Sequence, residues 1–131
     1  MESVRVGRDL PGAPDGLFEW FVDAALLTAW WPDEAETDPA AGGAYRMHWA
    51  GPGVTLRGTY VAVERPDRLA FTWSWDHDDL PPREVVVTFV ASSAGTSVTV
   101  DHEAATADEG ADYADGWTFF LDRLATRLSG G

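Results

Sequence analysis

Thr106-Ala107-Asp108-Glu109-Gly110-Ala111-Asp112-Tyr113-Ala114-Asp115-Gly116-Trp117-Thr118-Phe119-Phe120-Leu121-Asp122-Arg123-Leu124-Ala125-Thr126-Arg127-Leu128 is the stretch whose reading decides the fold. Thr106 and Glu109 have the spacing of a capping box: the hydroxyl accepts from the Glu109 N–H, and the carboxylate reaches back to the Thr106 N–H. Tyr113, Trp117, Phe120, Leu121, Leu124 and Leu128 recur every three or four residues and form one broad apolar stripe. Asp108, Glu109, Asp112 and Asp115 lie toward the start and Arg123 and Arg127 toward the end, as the helix dipole favours. The spacing predicts one helix of roughly 30 Å. Gly110 and Gly116 oppose it by about 1 kcal/mol each relative to Ala. Gly116, beside Trp117, is expected to mark a close backbone approach. Nothing helical in the middle of the chain could cover the stripe and what lies upstream is mostly strand, so the helix must lie across a sheet.

Upstream, Ser3 to Asp9 alternates as a short strand, and Leu10 to Asp15 turns, with Asp15 placed to cap the next segment. Leu17, Phe18, Phe21 and Val22 describe a short amphipathic helix, and Leu26, Leu27 and Trp30 a second, stopped by Pro32. Asp33 to Ala41, rich in carboxylates and without periodicity, reads as a loop. Alternation then returns in Tyr45, Met47 and Trp49; in Val54 to Glu64; in Leu69, Phe71, Trp73 and Trp75; in Val85, Val87 and Phe89; and in Val98, Val100 and His102. A turn at Arg65-Pro66-Asp67-Arg68 and a polar loop over Asp76–Arg83 interrupt it. Short connections imply antiparallel neighbours. The expected class is α+β, a single domain over 1–131: about six antiparallel strands, two short helices after the first, and a long helix on the same face.

Composition bounds the partners. Twenty-two acidic residues against nine basic ones leave a formal charge of −13, which opposes binding to nucleic acid or to anionic membranes. Every basic residue is Arg, a bias that suggests a GC-rich bacterial genome. Absence of cysteine removes disulfide and thiolate chemistry. The first residues form no apolar targeting segment and no later run is long enough to span a bilayer, so the expected location is cytoplasmic. Seven Trp, six Phe and three Tyr are a heavy load of rings for 131 residues. Such rings fill cores, and they also line pockets for flat apolar ligands.

Trp30-Trp31-Pro32, Gly42-Gly43, Gly58 within a long strand, Arg65-Pro66-Asp67-Arg68-Leu69, Phe71-Thr72-Trp73 and Gly116-Trp117 occur in that order in this sequence. Together they resemble the bacterial proteins similar to the C-terminal domain of the Hsp90 ATPase activator, in the START/Bet v 1-like (SRPBCC) superfamily. The resemblance spans Val4 to Leu128. It implies a helix-grip fold, a curved sheet wrapped around the C-terminal helix with a cavity between them. Members of that superfamily include ligand carriers, polyketide cyclases and a cochaperone domain, so fold alone does not choose the function.

On alternation, the expected cavity wall comprises Met47, Trp49, Tyr60, Phe71, Trp73, Trp75, Phe89, Val100, His102, Trp117, Phe120 and Leu121; the same rings would serve equally as a solid core. His102 is the candidate for acid–base chemistry, being on the apolar face of the last strand. The acid–base pair of a cyclase would be His102 or Tyr60 with Arg57 or Tyr45. Asp76-His77-Asp78-Asp79 has adjacent rather than convergent ligands and reads as a solvated loop, so no metal and no cofactor is expected. No nucleophile elbow, zincin motif, P-loop or dinucleotide fingerprint is present. The first reading is non-enzymatic binding of a small hydrophobic or aromatic molecule. The resemblance adds two alternatives: a stress-related Hsp90-type chaperone partner, and a cyclase- or dehydratase-like enzyme. Phe119, on the far side of the final helix, suggests a homodimer contact.

Overall fold

Alternation carries the sheet. In Gly95–Ala104 (β7) Thr96, Val98, Val100, His102 and Ala104 are buried and the residues between them are not. The computed structural model, which describes residues 2–130, sets this strand beside Glu2–Leu10 (β1) on one side and Arg83–Ser92 (β6) on the other. Arg68–Trp75 (β5), Val54–Glu64 (β4), Ala44–Trp49 (β3) and Glu34–Thr37 (β2) continue it to a seven-stranded antiparallel sheet in the order β1-β7-β6-β5-β4-β3-β2. The sheet therefore has seven strands rather than about six. The extra strand is β2, which lies in the segment expected to be a loop. Glu34–Thr37 pairs by backbone with His48 to Tyr45 at the sheet edge, where polar residues guard against further pairing and leave no apolar alternation to read.

Two helices cover one end of the concave face. Pro14–Glu19 (α1) begins at its proline, with Ala13 as an uncapped N-cap, so Asp15 does not cap it. Proline is suited to the first helical position because its missing N–H would have no partner there. Ala24–Leu27 (α2) is capped by Asp23, which accepts from the Leu26 N–H at 3.1 Å. Past Leu27 the chain goes on as turns instead of regular helix, and these bring Trp30 and Trp31 inward, stacked at 5.3 Å. Phe18 and Phe21 each meet Phe89 at 5.2 Å, which makes this end a solid aromatic core.

The long helix, Ala107–Leu128 (α3), has Thr106 as its N-cap, with the Glu109 N–H donating to the threonine hydroxyl at 3.1 Å. Tyr113, Trp117, Leu121 and Leu124 are buried as the stripe predicts, and Phe120 is partly so. The close approach expected at Gly116 falls instead at Gly110. A Cβ on Gly110 would come within 3.0 Å of Val4 Cγ1 and 3.7 Å of Ala104 Cβ, so Gly110 is where α3 closes onto β1 and β7. A Cβ on Gly116 would meet nothing within 4 Å. The helix thus sits tight on the β1–β7 side and leaves room toward β3, β4 and β5. A second close approach lies at Gly58. The Tyr45 ring crosses it to donate its hydroxyl to the Thr72 carbonyl, and a Cβ there would strike both that carbonyl and the ring.

Candidate functional site

The room left by α3 is a cavity of about 480 Å³ between the helix and the strands from β3 to β6. Its walls are mostly rings: Trp49 at the end of β3, Trp73 and Trp75 from β5, Trp117 and Phe120 from α3, and Trp31 from the turn after α2. Trp31 joins them, with its ring 4.8 Å from Trp117, 5.9 Å from Trp49 and 6.0 Å from Trp73. Its carbonyl also accepts from Trp49 Nε1 at 3.1 Å. Gly116 lines the cavity too; a side chain at that position would occupy it.

One end of the cavity is charged. Arg83 opens β6 and is 1% exposed. Its Nε and Nη2 donate to the two carboxylate oxygens of Glu109, each at 2.9 Å, and Nη2 also meets Asp78 at 3.1 Å. Paired hydrogen bonds of this kind are the strong form of an ion pair. The Arg83 hydrogen bonds hold the Glu109 carboxyl down to about 2. Burial alone would raise Asp78, but the hydrogen bonds from Arg83 and the Leu80 N–H, with the nearby positive charge, together outweigh it and the net shift is downward. Glu109 also accepts from the Ala105 N–H at 3.0 Å, so its carboxylate reaches one residue beyond the expected capping-box partner, Thr106. Asp112, Asp78 and His77 complete this rim. Tyr113 stands beside it, its hydroxyl pushed up to about 12 by burial. Arg83 Nη1, Trp73 Nε1 and the Tyr113 hydroxyl are buried without a hydrogen-bond partner.

The residues expected to form the wall divide into three groups. Trp49, Trp73, Trp75, Trp117 and Phe120 come together on the cavity. Met47, Tyr60 and Phe71 border a separate void of about 10 Å³ behind Trp31, room for about one water. Phe89, Val100 and Leu121 are packed in the core and line neither space. His102 is fully buried. Its Nδ1 accepts from Trp117 Nε1 at 2.9 Å, so Nε2 carries the ring proton in the neutral form. Tyr113 stacks on it at 3.8 Å and the Trp73 ring lies 4.5 Å away. Burial lowers it to about 3, which keeps it neutral near pH 7 and poorly matched to proton abstraction there. The partners considered for it are engaged elsewhere: Arg57 with Asp76 at 2.9 Å, and Tyr45 with Thr72.

Sequence reasoning missed Trp31, Arg83, Glu109 and Tyr113. Trp31 stood next to a helix-ending proline, where helical period no longer assigns a face. Arg83 falls in the stretch expected to be a polar loop. Its one available signal was its position directly before the alternation of Val85, Val87 and Phe89, on the same face. In the acidic loop, Asp76 and Asp78 turn to Arg57 and Arg83, and among the described residues no three His, Asp or Glu side chains gather as around a metal ion.

A curved antiparallel sheet closed by a long C-terminal helix over an aromatic cavity defines the helix-grip class of the START/Bet v 1-like superfamily. Residues 12–129 match the family described as Activator of Hsp90 ATPase homolog 1-like protein, and the chain belongs to that family. The AHSA1 protein of Silicibacter pomeroyi is 30% identical, with a TM-score of 0.77 and 98% of each chain covered. DynU16, from the dynemicin biosynthetic locus, is 27% identical with a TM-score of 0.87; the match spans 98% of this chain and 48% of that one. A Mesorhizobium loti protein shares the fold at 23% identity and a TM-score of 0.86, covering 98% of this chain and 97% of its own. Among curated proteins no sequence match is found. No helix among the described residues is long and apolar enough to cross a membrane.

Proposed function

We propose that the protein binds a flat hydrophobic or aromatic molecule in the cavity beneath α3. The observation that carries this reading is the cavity of about 480 Å³ walled by Trp31, Trp49, Trp73, Trp75, Trp117 and Phe120. Its volume is in the range that takes a small organic ligand. Offset and edge-to-face contacts with such rings hold a flat guest. Binding and orientation need no acid–base group, and His102, neutral and covered by Tyr113, supports none.

N-phenyl-1-naphthylamine, a neutral dye that brightens in apolar surroundings, tests this directly. One dye per chain is expected to bind the wild type and to quench tryptophan emission. Gly116→Leu, whose side chain has free space in front of it, is expected to stay folded and lose the dye. No binding by the wild type, or undiminished binding by a folded Gly116→Leu, sinks the reading.

A second reading, contact with an Hsp90-type chaperone, draws support from the description of the matching family. Pull-down against such an ATPase, with ATP hydrolysis as readout, decides it; no association at tens of micromolar removes it. A homodimer through Phe119, 58% exposed beside a shallow groove with Ala29 and Arg123, is checked by sedimentation.

A further inference from the structure

The charges around the cavity do not balance, and the imbalance is fixed by the fold. Among the described residues Arg83 is the only arginine on the wall, where His77 also stands, and it is already shared between Glu109 and Asp78. Both carboxylates stay ionised, Glu109 down to about 2 and Asp78 below its ordinary range. Asp112 adds a third carboxylate on the rim with no arginine against it among the described residues. A buried arginine usually invites an anion. Here its charge is spent internally, and with Nη1 buried and the whole residue 1% exposed the guanidinium presents no open face to an anion. The remaining wall is indole. Indole faces attract cations through the ring quadrupole, tryptophan more than the other aromatics.

We infer that the cavity selects for charge: it takes aromatic ligands bearing an amine or quaternary ammonium group and rejects the same scaffold bearing a carboxylate or sulfonate. This selection rests on the ligand-binding reading and gives it a chemical class. The cationic group sits toward Glu109, Asp112 and Asp78, and the flat part lies among Trp31, Trp75 and Trp117. Two terms then act together. Attraction from the excess carboxylates is strengthened because the site is partly screened from water, and the indoles supply the short-range contact.

Three matched probes test it at constant pH and low salt. N-phenyl-1-naphthylamine is neutral, its 8-sulfonate (ANS) carries one negative charge, and a trimethylammonium derivative of the same ring system carries one positive charge. The expected order of affinity is cation, then neutral, then anion, with roughly tenfold or more between the extremes. Raising salt to 0.5 M should compress that ratio, since exposed charges are screened over a shorter distance. Asp112→Asn should compress it as well. Failure of all three probes to bind would remove the ligand-binding reading itself. Binding of the neutral dye together with equal or tighter binding of ANS would leave that reading standing and overturn the charge selection.

Discussion

Arg83 shows what a single side chain does when it is buried with its counter-charges. Holding a guanidinium at 1% exposure costs desolvation, which paired carboxylates offset without adding net stability over an apolar alternative. What the pair does provide is position: Glu109 is tied at once to β6 through Arg83 and to the backbone at Ala105. His102 is held in the opposite way, neutral, through Trp117. Both groups make stability depend on pH with the same sign. Burial takes His102 down to about 3, and the Arg83 hydrogen bonds take Glu109 to about 2. Each folded-state value lies below the unfolded one, so the unfolded chain takes up protons first. Stability is complete above about pH 6.5, falls first as His102 enters its window, and falls again below about 4.5 as Glu109 enters its own. Urea midpoints measured from pH 8 to 3 should decline through both ranges, and the His102 ring resonances should not titrate between pH 8 and 4.5. A His102 midpoint near 6.5 would show that the ring is not enclosed as described. Removing the Glu109 charge by Glu109→Gln should cost toward the lower end of about 3–5 kcal/mol, because Asp78 still faces the guanidinium.

At the scale of the element, α3 carries two glycines with opposite meanings. Each gives up roughly 1 kcal/mol of helix propensity relative to alanine. At Gly110 that loss is tied to packing, because Val4 Cγ1 lies 3.0 Å from where a Cβ would stand. At Gly116 nothing lies within 4 Å, and the space belongs to the cavity. Gly116→Ala should therefore stabilise the fold by about 0.5–1 kcal/mol in urea unfolding while weakening binding of a bulky guest. Gly110→Ala should gain nothing, since Val4 has to move. Equal stabilisation by both substitutions would mean that α3 does not sit on β1 as described.

For the whole molecule, charge is the dominant feature. Arg5, Arg8, Arg57 and Arg65 each meet a carboxylate within 3.0 Å, but all four pairs are largely exposed, and pairs of that kind contribute about 0–1 kcal/mol. They do not cancel the self-repulsion of a chain carrying −13. Raising sodium chloride from 20 mM to 0.5 M should accordingly increase Tm at pH 7, as repulsion between surface carboxylates is screened. A Tm that falls with salt would mean that the surface pairs outweigh the net charge.

Periodicity by itself determined much of this protein. The capping box at Thr106, the stripe from Tyr113 to Leu128 and the alternation in Trp73, Val85 and Val98 fix one long helix over an antiparallel sheet, because these patterns follow from side-chain direction along a single element. The sequence also announced a wealth of tryptophan. It did not say which rings would meet. Phe89 and Trp73 share the same kind of alternation, yet one packs under α1 and the other faces the cavity. That choice belongs to the tertiary structure, since it depends on where α3 approaches the sheet and where it stands off. The same holds for Arg83 and Glu109, which lie 26 positions apart in the chain. No local rule pairs them; the register that places β6 beneath the first turn of α3 does.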